Sequence, residues 1–120
     1  MIWETKTIKE LCFLVTDGSH SSPREVEIGF PMASSKDMLE NDFDYSNIKQ
    51  VSEDDYLKLV KGNCKPLKDD ILLIKDGNSY LKRIFAVKED KDMVLLSSIA
   101  ILRTNTELIN PIFFQYSLRN

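Results

Sequence analysis

The stretch Ile71-Leu72-Leu73-Ile74-Lys75-Asp76-Gly77 decides the fold class of this 120-residue chain. Four consecutive apolar residues predict a buried strand, and an Asp-Gly pair directly behind such a run is a strong signal for a tight hairpin turn. Residues 80–87 then predict the returning strand. The centre of the predicted domain is therefore a sheet that contains a hairpin.

Short elements surround this hairpin on both sides. Further strands are predicted over residues 11–15, where a continuous apolar run indicates burial, and over residues 30–34, 48–51, 93–96 and 99–103. The polar stretch 17–27 predicts an exposed loop. Helical turns are predicted from Thr7 to Glu10 and over residues 35–39, and a last helix is predicted with Asn110 as its cap and Pro111 in its first turn. Short strands mixed with short helices predict a small α+β domain.

The clearest helix begins at Ser52. Its hydroxyl can cap the N–H of Asp55, while the Asp55 side chain can reach back to the N–H of Ser52. Val51 and Tyr56 occupy the two positions that pack across such a cap. Gly62 is placed to end the helix in a left-handed conformation.

The composition indicates one domain without a membrane segment. Hydrophobic residues make up 42% of the chain and charged residues 29%. No apolar run approaches the roughly 20 residues that span a bilayer, and residues 1–4 do not resemble a signal peptide. We therefore expect a cytoplasmic protein.

The charge balance alone does not favour DNA as a partner. The net charge is −3, whereas contact with phosphates favours basic surfaces. The distribution is uneven, however, because residues 37–55 carry seven acids and one base and residues 61–83 carry six bases and three acids. An acidic face and a basic stretch can therefore coexist, although ordinary solvated charge explains the same pattern.

Catalytic and cofactor motifs are absent from the sequence. Cys12 and Cys64 form no Cys-x-x-Cys pair and are expected to be reduced thiols, and His20 has no second histidine with which to hold a metal. There is no Gly-x-Gly for a phosphate or cofactor loop. We expect no enzyme, no cofactor and no metal; a small hydrolase that uses Cys12 or Cys64 with His20 is a remote alternative.

Several motifs together resemble one family, the target-recognition domains of type I restriction-modification specificity subunits. The pieces are Trp3, Thr7, Leu11, the loop 17–23 (Asp-Gly-Ser-His-Ser-Ser-Pro), 29–37, Val51-Ser52, 65–72, 75–77, 97–103 and 110–118. Their order and spacing carry the resemblance, and it covers essentially the whole chain. Asp69 departs from it by standing where the family usually has glycine, and a second glycine soon after Gly77 is missing.

The resemblance implies a fold and a role. The fold would be a twisted β-sheet with short helices, like the DNA methylase specificity domain, and residues 1–120 would be a single target-recognition domain. The family's long conserved helices are missing, so we expect a truncated form. Such a domain reads one half of a split site in double-stranded DNA and directs partner modification (methyltransferase) and restriction (endonuclease) subunits. Whether the chain forms a homo-oligomer is left open.

Two polar loops and one lysine are the predicted DNA-contacting residues. Hydroxyl, amide, imidazole and guanidinium groups can read base edges, and lysines can contact phosphates. The predicted residues are Ser19, His20, Ser21, Ser22, Arg24, Lys36, Lys75, Asn78, Ser79, Tyr80, Lys82 and Arg83. The plainer interpretation is a serine-rich connection that caps its own backbone and a hairpin with a solvated tip.

A second hypothesis assigns the chain a different class of function. The net acidity and the apolar last helix, over residues 111–119, also fit a non-catalytic docking module that binds modification subunits. In that case the chain would be a decayed half-subunit.

Overall fold

Two sheets and three short helices make up the part of the chain that the structure, a computed structural model, describes. That part comprises residues 8–74 and 83–119. One sheet has four strands and the other has three. The predicted mixed α+β class is confirmed.

The elements follow the predicted order closely. The helices are α1 (Ile8–Leu11), α2 (Glu53–Lys61) and α3 (Pro111–Arg119), and two 3-10 turns lie at Ser35–Asp37 and Tyr45–Asn47. The strands are β1 (Cys12–Asp17), β2 (Phe30–Ala33), β3 (Lys49–Val51), β4 (Asp70–Ile74), β5 (Ile84–Ala86), β6 (Val94–Leu95) and β7 (Ile99–Thr104). None of these helices is long and apolar enough to cross a membrane.

The larger sheet has the strand order β1-β7-β4-β5, and its neighbours are all antiparallel. The smaller sheet has the order β3-β2-β6, with β2 antiparallel to β3 and parallel to β6. Strands β6 and β7 are consecutive in the chain but belong to different sheets. The short connection at residues 96–98 is therefore one place at which the chain passes from one sheet to the other.

Buried apolar side chains fill both faces of the larger sheet. On one face, Leu72, Phe85 and Ile101 pack with residues of the smaller sheet and its connections, such as Leu95. On the other face, α3 inserts Phe114 among residues of β4, β5 and β7. Strands β4, β5 and β7 of the larger sheet are thus covered on both sides.

The predicted cap at the start of α2 forms in large part, whereas the predicted conformation at the end of the helix does not. The Ser52 hydroxyl accepts from the N–H of Asp55 at 3.2 Å, but the Asp55 carboxylate accepts from the Ser52 hydroxyl rather than from its N–H. Gly62 has φ −84°, so the predicted left-handed glycine is wrong. The left-handed residue is Asn63 instead, one position after Gly62, with φ 63°. Asparagine tolerates this region better than most residues.

Strand β1 is present but is not the buried strand that its apolar run predicts. Among the described strands it lies at the edge of the larger sheet and pairs only with β7. Phe13 is 73% exposed and Val15 is 42% exposed, and the pairing register shifts between Cys12 and Leu14 as in a β-bulge. The face of β1 that carries Phe13 and Val15 is thus open to solvent, which the sequence run could not reveal.

Asp69, which stands where the resemblance has glycine, keeps the backbone that glycine would take. Its φ is 74°, in the left-handed region. The carbonyl of Asp69 accepts from the Thr104 hydroxyl at 3.1 Å, and its N–H donates to the Val87 carbonyl at 2.8 Å. The turn that enters β4 is therefore held by neighbouring segments despite the substitution.

Candidate nucleic-acid interface

The turn at residues 96–98 brings together two polar segments that are distant in the sequence. On one side, the N–H of Ser97 donates to the Ser19 carbonyl at 2.9 Å, and the N–H of Ser19 donates to the Leu95 carbonyl at 2.7 Å. On the other side, the Ser98 hydroxyl accepts from the N–H of Ser35 at 2.9 Å. The loop 19–24 and the segment 34–36 therefore flank the same turn.

Gly18 allows the loop 19–24 to approach this turn so closely. Its N–H donates to the Ile99 carbonyl at 3.0 Å. A Cβ at this position would lie 2.3 Å from the Leu96 carbonyl oxygen and 2.4 Å from that of Leu95. Only glycine fits such a backbone-to-backbone contact.

Ser19 is part of the scaffold rather than of the exposed surface. It is 7% exposed, and its hydroxyl donates to the Ser21 carbonyl at 2.7 Å and accepts from the Ser21 N–H at 3.0 Å. The prediction that residues 17–27 form an exposed loop is therefore wrong at Gly18 and Ser19, which are buried. Ser19 therefore caps the backbone of its own loop, as the plainer interpretation of this serine-rich stretch predicted.

The rest of the loop presents polar side chains to solvent. His20, whose side chain is 78% exposed, lies with Nε2 3.1 Å from a carboxylate oxygen of Asp17. The Ser22 hydroxyl accepts from Lys49 Nζ at 2.8 Å, while Ser21 and Arg24 are exposed. The loop therefore combines hydroxyl, imidazole and guanidinium groups beside a lysine that comes from β3.

Lys36 is exposed on the other flank, in the 3-10 turn at Ser35–Asp37. The carboxylate of Asp37 is turned inward, since it accepts from the N–H of Ser34 at 2.9 Å and Asp37 is buried. Asp37 therefore stabilises the turn from inside, and Lys36 is the charged side chain that the turn exposes to solvent.

We define the serine-rich surface as Ser21, Ser22, Arg24, Lys36, Lys49, Ser97 and Ser98, together with His20. Its three fixed positive charges come from Arg24, Lys36 and Lys49. Acidic residues lie on both sides of the loop in the chain: Asp17 contacts His20, and Glu25 and Glu27 are exposed. The surface is therefore rich in hydrogen-bonding groups but only mildly charged.

Arg83 is the one predicted contact of the second polar loop that lies among the described residues. Its Nη1 donates to the carbonyl of Met38, two residues beyond Lys36, and the residue is half-buried. The guanidinium therefore joins the start of β5 to the segment that carries Lys36. The other predicted contacts of this loop, Lys75, Asn78, Ser79, Tyr80 and Lys82, lie outside the described residues.

The thiols are poorly suited to nucleophilic catalysis. Burial, with a smaller contribution from the charge of Asp70, raises the pKa of Cys12 to about 11, and burial also raises the pKa of Cys64. Cys64 and His20 line the same shallow depression, but Cys64 Sγ donates to the Gly62 carbonyl at 3.6 Å and His20 contacts Asp17. Both thiols are thus held in the protonated form, which is the unreactive one.

The described residues contain no group of three or more His, Cys, Asp or Glu side chains that could hold a metal ion. No protein-family model matches the chain, and a comparison with curated proteins finds no match either.

Lys49, Ser97 and Ser98 belong to this surface and were not among the predicted contacts. The adjacent serines between two apolar runs are a sequence signal for an exposed turn, and that signal could have indicated Ser97 and Ser98. The position of Lys49 depends on the pairing of β2 with β3, which no local pattern reveals.

Proposed function

We propose that this chain recognises double-stranded DNA in a sequence-specific manner, as one half-site reader of a type I restriction-modification specificity subunit, with partner subunits supplying methylation and cleavage. The observation that supports the proposal most strongly is the serine-rich surface. Two polar segments that the sequence separates by ten or more residues meet there at one turn.

The chemistry of this surface suits reading better than catalysis. Hydroxyl and imidazole groups donate and accept hydrogen bonds at base edges, and lysine and arginine contact phosphates. The backbone beneath these groups is fixed by hydrogen bonds from the Ser97–Ser98 turn to Ser19 and Ser35. Side chains held on a rigid support lose less entropy on binding.

The small number of positive charges predicts modest salt dependence. Each phosphate contact contributes roughly one unit to the slope of log K against log salt concentration. Arg24, Lys36 and Lys49 together would give a slope of about −3, in keeping with a domain that reads half a site and relies on partner subunits for further affinity.

Replacing Lys36 with glutamine is expected to weaken duplex binding similarly for all sequences and to reduce the salt slope by about 1, because a phosphate contact would be lost. The measurement is fluorescence anisotropy at several salt concentrations, on duplexes selected from a randomised library. Lys58→Gln is the matched control, since Lys58 is an exposed lysine on α2, outside the serine-rich surface. Equal slopes for both variants and the wild type would contradict the assignment of Lys36.

The complete proposal is tested in cells. Co-expression of the chain with modification subunits should produce methylated adenines at one defined half-site, which genome-wide methylation mapping detects. Methylation that does not depend on the chain, together with no duplex preference in the library, would overturn the proposal.

A docking module is the second candidate, and α3 is the observation that favours it. Phe114 and Gln115 are buried, whereas Ile112, Phe113 and Tyr116 expose about half of their side chains. Exposed aromatic and aliphatic groups close together are typical of protein contacts. Loss of co-purification of a modification subunit in Ile112→Ser, with no DNA binding by the wild type, would favour this candidate over DNA recognition.

A further inference from the structure

A small pocket lies away from the serine-rich surface, between residues 41–45 and the segment that runs from β5 to Met93. Its volume is about 100 Å³. Phe43, Phe85 and Met93 line it and are themselves almost fully buried, so the floor is apolar. The rings of Phe43 and Phe85 meet edge to face, with centroids 5.2 Å apart.

The rim of the pocket is polar and ordered by a chain of contacts. The Tyr45 hydroxyl donates to an Asp42 carboxylate oxygen at 3.0 Å and accepts from Lys91 Nζ at 2.9 Å. Lys91 Nζ also lies 4.5 Å from the centroid of the Tyr45 ring and 3.7 Å from the other Asp42 oxygen. Tyr45, Asp42 and Lys91 all line the pocket.

Asp42 and Lys91 differ in how far their hydrogen-bonding groups are already used within the rim. One Asp42 oxygen already accepts from both the Phe43 N–H and the Tyr45 hydroxyl. The Lys91 ammonium has three donors, of which one is directed to the Tyr45 oxygen, and its side chain is 37% exposed. Its contact with Asp42 at 3.7 Å is too long for a good hydrogen bond. The pocket therefore carries both signs of charge, with Lys88 and Lys91 beside Asp42 and Glu89, and Lys91 keeps donors for a ligand.

We propose that this pocket binds one aromatic ring that carries a carboxylate, with the ring against Phe43 and Phe85 and the carboxylate at Lys91. An aromatic ring suits the floor because it can pack edge to face with the two phenylalanines. The volume of about 100 Å³ is of the order of a single ring and is smaller than the roughly 300–1,000 Å³ of pockets that hold drug-sized ligands. The carboxylate receives the ammonium donors that Tyr45 leaves unused.

The test is a titration of the full chain, labelled with ¹⁵N, with benzoate. Saturable shifts are expected at the amides of Phe43, Val87 and Met93, with a Kd on the order of 1 mM, since ligands of this size seldom bind more tightly. Benzyl alcohol should bind more weakly at the same amides, and acetate should give no saturable shifts. Shifts that spread over the surface, or equal responses to benzoate and acetate, would overturn the proposal.

Lys91→Met separates the two parts of the interaction. It should weaken benzoate binding roughly two- to fivefold, the size expected for an ion pair at a partly exposed site, and leave benzyl alcohol unchanged. Lys58→Met is the control and should change neither, because Lys58 is an exposed lysine on α2 that does not line the pocket. An unchanged benzoate affinity in Lys91→Met would contradict the role of the ammonium.

Two sources could supply this ligand chemistry, and a second probe distinguishes them. N-acetylphenylalanine places its carboxylate further from the ring, as the carboxyl-terminal residue of a peptide does. Tighter binding of benzoate would support a compact free acid, and tighter binding of N-acetylphenylalanine would support a peptide terminus. Saturable binding of neither probe at these amides would refute both.

Discussion

Replacing Arg103 with methionine is expected to lower the free energy of unfolding by about 3–5 kcal/mol, the usual cost of removing one partner of a buried ion pair. The Asp70 side chain is only 1% exposed, and its carboxylate accepts from Arg103 Nε and Nη2, each at 3.0 Å. The same guanidinium donates to the Lys65 carbonyl at 3.2 Å. Without Arg103 the fold would bury a carboxylate to which, within residues 8–74 and 83–119, only the Leu67 N–H still donates. Urea denaturation of both proteins measures the difference.

The effect of Arg103→Met should decrease as the pH falls from 7 towards 4. Burial already raises the pKa of Asp70 above its ordinary value, against the opposing effects of Arg103 and the Leu67 N–H. Removing Arg103 removes the larger opposing effect, so the pKa rises further. A carboxyl group with a raised pKa in the folded state contributes most stability below its ordinary pKa and loses that contribution as the pH rises through the raised value. The variant should therefore approach the wild type in acid.

The double variant Asp70→Asn/Arg103→Met is the control for this pH effect. It buries no charge, so its difference from the wild type should lack the decrease towards low pH that Arg103→Met shows. Asp70→Asn alone should cost less than Arg103→Met, because the side chain of Arg103 is 23% exposed and can reach water. Equal losses for the two single variants would contradict this account of the pair.

Gly18→Ala is expected to cost about 1–3 kcal/mol, as overpacking of a rigid contact does. The added Cβ would meet the carbonyl oxygens of Leu95 and Leu96 at 2.4 and 2.3 Å, and both are backbone atoms. Relief requires the loop 19–24 to move away from the turn at residues 96–98. Hydrogen exchange should consequently speed up at the amides of Ser19 and Ser97, which hold the loop to the turn.

Gly62→Ala is the matched control for this substitution. A Cβ at Gly62 would have its nearest neighbour, the Leu59 carbonyl oxygen, at 3.5 Å, and φ is −84°, which alanine adopts readily. Its free energy of unfolding should stay within about 0.5 kcal/mol of the wild type. If the two alanine variants lost equal stability, the close contact at Gly18 would not be the cause. Under the proposed function, only Gly18→Ala should weaken DNA binding.

Local sequence patterns were sufficient to predict most of the secondary structure. The apolar run at residues 71–74 predicted β4, and Ser52 and Asn110 predicted the starts of α2 and α3. The Asn110 side chain accepts from the N–H groups of Ile112 and Phe113, as a cap should. Such signals are readable because strand alternation, capping and turn formation depend on residues only a few positions apart.

Burial was predicted less well than secondary structure, because it depends on what the rest of the fold places against a residue. The run from Leu11 to Val15 is apolar throughout, yet β1 is an edge strand and leaves Phe13 exposed. Ser19 lies in a polar loop, yet the loop is held against the turn at residues 96–98 and the side chain is buried.

The sequence by itself determined the fold class, the element order and the polar character of the loop 19–24. Only the tertiary structure decided that this loop and Ser35, the neighbour of Lys36, both contact the Ser97–Ser98 turn, that Lys49 contacts the loop from β3, and that Asp70 pairs with Arg103. The partners in these contacts are 27 to 78 positions apart in the chain. They arise from the pairing and packing of distant strands, and pairing partners are not encoded in any single stretch of residues.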